Sequence, residues 1–221
     1  MLRLGGFLIL LAMLGNGLSA WGQTEANRHP QVLVSVYNDA GIAMPIVRRA
    51  EQEVVKIFLD AGVRIEWSGS VAREDSAESG SSGDRGNSRR LAVRIVARSR
   101  SLSADVFGVA FLGADGDGQQ ADVFYENVAA LSGQSGRNPG EVLGCVMAHE
   151  LGHLALGSNS HSADGLMRPH WDSKELKKMS MGRLRFEPGQ TAEVRSRLGR
   201  WEPNRSTTIL RAGVNSRYPL P

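Results

Sequence analysis

The sequence predicts an α+β domain of five strands and three helices, and three observations carry that prediction. Five short runs rich in β-branched and aromatic residues lie between positions 31 and 126, with one helical period inserted after the first. A long, almost wholly apolar helix with clear start and stop signals follows at 139–156. A last helical segment stands at 188–198, so most strands come before most helices, the order of an α+β chain.

Gln31 to Tyr37 (Q-V-L-V-S-V-Y) is nearly continuous in apolar character and reads as a buried strand. Asn38-Asp39-Ala40-Gly41 is a turn. From Pro45, Val47, Ala50, Val54, Ile57 and Phe58 recur at a helical period, and Gly62 ends that helix. Val63 to Trp67 is the second strand. Residues 68–90 are rich in Ser, Gly, Asp and Arg with almost no bulky apolar side chain, the composition of a flexible loop. Leu91 to Ala97 is the third strand. Val106 to Leu112 is the fourth, with Gly108 marking a bulge or a close backbone approach. Asp115 and Asp117 in D-G-D-G fit turn chemistry, because the calcium-loop pattern is incomplete. Ala121 to Glu126 is the fifth strand, and a Ser/Gly-rich connection leads on to the long helix.

That helix carries the most informative motif, His149-Glu150-Leu151-Gly152-His153. Histidines four apart share one helix face, with imidazoles roughly 6 Å apart, close enough to bind one metal ion. Chance alone would place an H-E-x-x-H in a chain of this composition about 0.7% of the time. Asn138 caps the helix, Pro139 suits its first position, and Glu141 is placed to close a capping box. Leu143, Met147, Leu151 and Leu154 form one apolar stripe, while Val142 and Val146 share another side with the histidines. A helix apolar on more than one side is buried. Its polar side chains then need partners, which a metal ion supplies to two imidazoles at once. Gly157 stops the helix, and His161 offers a third nitrogen beyond it.

Composition narrows the remaining classes. The chain has 221 residues and a formal charge of +3. Its basic doublets, Arg48-Arg49, Arg89-Arg90 and Lys177-Lys178, are scattered without interleaved aromatics, so nucleic-acid binding is not expected. Cys145 is the only cysteine, which excludes a disulfide-stapled scaffold. Arg3, the apolar run Gly6 to Leu14 and the small residues ending at Gly22 read as a signal peptide over 1–22. The run is too short to span a bilayer. The expectation is an exported chain, periplasmic or extracellular, with 23–221 as a single monomeric domain and no stable membrane insertion.

The element order, together with His149-Glu150-Leu151-Gly152-His153, Gly157, His161 and Met167, resembles the metzincin metallopeptidases over nearly all of the mature chain. Leu166-Met167-Arg168-Pro169 also resembles the methionine turn of the matrixin branch. Gly157 stands one position, and His161 two positions, beyond the clan's usual spacing, so the chain resembles a divergent member. Asp164 and His170 are the alternative third ligands. The resemblance implies a zincin-like twisted, mixed sheet beside an active-site cleft, with Met167 packed beneath the metal. It also implies an edge strand that pairs with extended substrate, for which Gly108, Val109, Ala110 and Phe111 are the candidates.

On this reading His149, His153 and His161 hold one catalytic Zn²⁺, and Glu150 is the general base for a water that attacks a peptide bond. The expected substrate is a peptide or protein. Two rivals stand beside it. One is a gluzincin-type or repressor-cleaving peptidase in which Glu175 is the third ligand. The other is a non-catalytic secreted module with a structural metal, for which Glu150 would have no use.

Overall fold

The computed structural model describes residues 29–68, 88–99, 102–103 and 105–200. The expected signal peptide at 1–22, most of the loop at 68–90 and the tail from Trp201 lie outside them. In chain order the elements are β1 (Gln31–Asn38), α1 (Met44–Asp60), β2 (Arg64–Ser68), β3 (Arg89–Val96), β4 (Gly108–Phe111) and β5 (Gln120–Phe124). Four helices then follow: α2 (Tyr125–Ser135), α3 (Pro139–Leu156), α4 (Ser173–Ser180) and α5 (Pro188–Gly199). The strands form one five-stranded sheet in the order β2-β1-β3-β5-β4. β2, β1, β3 and β5 run parallel, and β4 closes one edge antiparallel to β5. The expected α+β class with a mixed sheet is therefore present.

The strands alternate more sharply than their apolar content suggests. Val32 and Val34 of β1 are buried, whereas the alternate residues Leu33 and Ser35 are half-buried and Tyr37 is exposed. One sheet face packs on the helices. The other is polar: the Ser35 and Ser68 hydroxyls are 2.6 Å apart, and Arg94 donates to both carboxylate oxygens of Asp122 at 3.2 and 2.8 Å. The expectation that β1 is buried on both faces is thus corrected among the described residues. Its valines stand at alternate positions, which is the period of a single buried face.

α3 is the centre of the packing. Every residue from Val142 to Ala155 is buried, so the doubly apolar reading of this helix holds. It lies against α1, β4, β5, α2 and α5. Val54, Ile57 and Phe58 of α1 and Leu143, Met147, Leu151 and Leu154 of α3 are almost fully buried. Each such side chain contributes about 1.5–3 kcal/mol of transfer free energy. Close approach of α1 and α3 depends on Gly144, where a Cβ would lie 2.7 Å from both the Ala50 carbonyl oxygen and the Glu53 Cβ. Cys145 is 1% exposed, and burial pushes its thiol pKa well above the ordinary range.

The start of α3 is as expected in part. The Asn138 side chain accepts from the Gly140 amide at 2.9 Å, and Pro139 takes the first turn. Glu141 does not close a capping box. It accepts from Arg49 Nη2 at 2.5 Å across the interface with α1, a charge-assisted partner that outcompetes a backbone amide. At the other end Gly157 adopts φ +63°.

Two helices were not expected. The Ser/Gly-rich connection after β5 is helical as α2, which begins at Tyr125, so the fifth strand ends two residues earlier than its sequence implies. Val128 and Ser132 face the core one turn apart, and Ser135 satisfies its hydroxyl on the Leu131 carbonyl at 2.6 Å. The segment after Pro169 forms α4, capped by Asp172, whose side chain accepts from the Lys174 amide at 2.7 Å. β3 also starts earlier, at Arg89, whose guanidinium reaches the Gly118 carbonyl at 3.0 Å. Among the described residues no helix is long and apolar enough to cross a membrane.

The glycine contacts give opposite expectations for two helical glycines. Gly133→Ala in α2, where nothing lies within 4 Å, raises stability by about 0.5–1 kcal/mol through helix propensity. Gly144→Ala lowers it by about 1–3 kcal/mol, because the added methyl forces α1 and α3 apart. Urea unfolding of both variants checks the difference in sign.

Candidate metal centre

α3 presents His149 and His153 one turn apart, 9% and 4% exposed. His149 Nδ1 lies 2.8 Å from the Leu166 carbonyl oxygen, and His153 Nδ1 lies 2.8 Å from that of Ser158. A carbonyl only accepts, so in both rings Nδ1 carries the hydrogen and Nε2 carries a lone pair. The two Nε2 atoms are 3.1 Å apart. A hydrogen bond between them would need an additional ring proton. Burial opposes it, lowering His149 to about 4 and holding His153 below the ordinary histidine range. Two lone pairs at this distance are stabilised by a shared cation. Tetrahedral zinc with nitrogen at 2.0–2.1 Å would set its ligands about 3.3–3.4 Å apart, close to what is seen.

His161 completes the group. The chain reverses after Gly157, and the His161 ring centroid comes within 5.4 Å of His149 and 4.9 Å of His153. The three residues' ligand atoms all lie within 4.8 Å of one another, so the trio could hold a metal ion. The displaced spacing is therefore absorbed by the loop.

The other candidates are engaged elsewhere. Asp164 accepts from the Gly165 amide, from Lys174 Nζ at 2.9 Å and from Lys178 Nζ at 2.5 Å, and these partners hold its carboxyl well below the usual range. Glu175 is fully buried and paired with Arg168, with Lys178 Nζ at 3.7 Å. His170 lines the cleft but is not part of the converging group. Neither Asp164, His170 nor Glu175 joins the histidines.

Glu150 is 5% exposed and has no hydrogen bond among the described residues. Burial alone pushes its carboxyl up to about 8. It faces a cleft of about 340 Å³ shared with the three histidines. Val106 to Ala110, Val146, Pro169, His170 and Trp171 also line it. Gly108, Val109 and Ala110 thus border the cleft. Phe111 does not line it and is half-exposed. β4 is also shorter than the expected 106–112: the Phe107 carbonyl accepts from the Phe124 amide, and that of Val106 from Asn127 Nδ2 at 2.7 Å.

Met167 is fully buried beneath α3, where a Cβ at Gly152 would come within 2.6 Å of its sulfur. The preceding Leu166 carbonyl accepts from both His149 and, at 3.2 Å, Trp171 Nε1. Sequence reasoning missed Trp171, as well as the Leu166 and Ser158 carbonyls. A Trp just beyond Met167 was a usable signal, since an indole N–H withdrawn from water needs an acceptor. Backbone acceptors leave no sequence signal.

No family model matches this sequence, and no curated protein matches it significantly. Among solved structures, the chain is similar to archaemetzincin from Methanopyrus kandleri at 17% identity and a TM-score of 0.47, over 78% of this chain and 98% of that one.

Zinc titration against a chromophoric chelator should show one tight site per chain. Replacing His149, His153 or His161 with Ala should weaken it beyond the 10–100-fold that outer hydrogen-bond partners contribute, while Glu175→Gln should keep it. Equal affinity in wild type and His161→Ala would remove His161 from the ligand set.

Proposed function

We propose that this chain is a zinc-dependent endopeptidase acting on peptide or protein substrates. The observation that carries the reading is the convergence of three imidazoles beside one buried, unbonded carboxylate in a cleft bordered by an edge strand. His149, His153 and His161 would hold the ion, and an all-nitrogen set of neutral imidazoles suits zinc. When bound, zinc supplies a Lewis acid that polarises a carbonyl and acidifies a water.

The rest is the work of the chain's own residues. The Leu166 and Ser158 carbonyls fix the ring orientation and tautomer of His149 and His153. Glu150, with no competing hydrogen bond, accepts the proton of the attacking water and passes it to the departing nitrogen. Val106, Phe107, Val146 and Trp171 give the cleft apolar walls. β4 pairs with β5 on one side only among the described residues, which leaves its outer edge for an extended peptide running through the cleft. Met167 serves as the apolar floor under the ligand-bearing turn of α3.

A gluzincin-type site is disfavoured because Glu175 is already neutralised by Arg168 and Lys178. A purely structural metal site is disfavoured because Glu150 is buried at the cleft without any structural partner. The apolar run before Gly22 supports export to the periplasm or the extracellular space, with a single monomeric domain from residue 23. The scattered basic residues support no nucleic-acid partner.

A peptide-library digest should show cleavage that a chelator abolishes and added zinc restores. Glu150→Gln should lower kcat by about 10²–10⁴-fold while zinc content stays at wild-type level. Undiminished cleavage by that variant would overturn the mechanism.

A further inference from the structure

We infer that Gly108 is a positioning residue for Glu150, an inference that rests on the peptidase reading of the site. Gly108 lies in β4 opposite Val123, in regular antiparallel pairing, and is not among the positive-φ glycines. The backbone there would accept any residue, so conformational freedom is not what glycine provides. Space is. A Cβ at Gly108 would lie 2.7 Å from both Cγ and Oε1 of Glu150 and 2.8 Å from the Asp122 carbonyl oxygen. The last of these is backbone of the neighbouring strand and cannot yield cheaply.

The consequence for Glu150 follows from what else holds it. The carboxylate has no hydrogen bond among the described residues and is 5% exposed, so its direction is set by the shape of its surroundings. On the β4 side that shape is the bare Cα of Gly108. A methyl group there is blocked by the Asp122 carbonyl on one side, and it turns the carboxylate away on the other. β4 thereby has two duties in the cleft: its outer edge borders the substrate path, and its one side-chain-free position leaves room for the base.

The test is Gly108→Ala, with Gly133→Ala as a glycine control remote from the cleft. Kinetics on a cleaved peptide, zinc content and thermal unfolding are measured for wild type, G108A, E150A and the double variant. G108A is expected to lose at least tenfold in kcat, with KM within about twofold and zinc content unchanged, while G133A keeps wild-type kinetics. Its loss in Tm should be smaller in the E150A background than in wild type, because the clashing carboxylate is gone. Wild-type kcat in G108A, or an equal Tm loss in both backgrounds, overturns the positioning role. Failure of the wild-type chain to cleave any peptide overturns the peptidase reading instead; the Tm comparison then still decides whether Gly108 and Glu150 are in contact.

Discussion

The structure depends on one constraint: a helix buried on every side carries two histidines and a glutamate into the interior. Polar groups that lose water must find other partners, at a cost of roughly 1–3 kcal/mol for each one left unsatisfied. The chain meets that demand for the histidines by wrapping the segment after Gly157 around the end of α3. The Ser158 and Leu166 carbonyls each take one ring N–H, which leaves the opposite nitrogens of His149 and His153 side by side. Glu150 is left without such a partner, and burial keeps its proton affinity high. A carboxylate without a hydrogen bond thus shares one cleft with the facing Nε2 atoms of two imidazoles, the kind of grouping that marks a candidate functional site.

The elements of this site were unequally legible in the sequence. The H-E-x-x-H helix could be read because its caps, its double apolar stripe and its motif are all local. Asn138, Pro139 and Gly157 act within a turn of where they stand. Glu141 shows where local reading fails: the capping-box geometry was available, but a guanidinium from α1, 92 positions earlier in the chain, took the carboxylate. α2 was hidden for a related reason. Ser132, Gly133 and Ser135 are weak helix formers, and tertiary contact of Val128 with the core, not propensity, holds that helix. α4 carried a legible cap at Asp172 followed by Glu175, but its polar composition masked it. The ligand choice among His161, Asp164, His170 and Glu175 depended on loop paths, which spacing alone does not specify.

Charge on α4 adds to the burial of Leu166 and Met167 in tying the 164–168 segment down. Asp164 is gripped by Lys174 and Lys178, and Arg168 by Asp172 and Glu175. The partly exposed pairs are individually weak, because water screens them. The pair of Arg168 with fully buried Glu175 differs, because without the guanidinium that carboxyl would have neither water nor a close ion-pair partner, Lys178 Nζ being 3.7 Å away. The two carboxylates that spacing nominated as metal ligands thus work as anchors for the turn that holds Leu166 against His149.

The sealed Cys145 has a consequence for where this chain can fold. With one thiol in the sequence, buried in α3 with its ionisation suppressed, no covalent bond in the native state depends on the redox potential of the surroundings. The fold needs no oxidant to form and offers a reductant nothing to break. Its maturation therefore calls for no oxidative folding catalyst, on whichever side of a membrane it takes place.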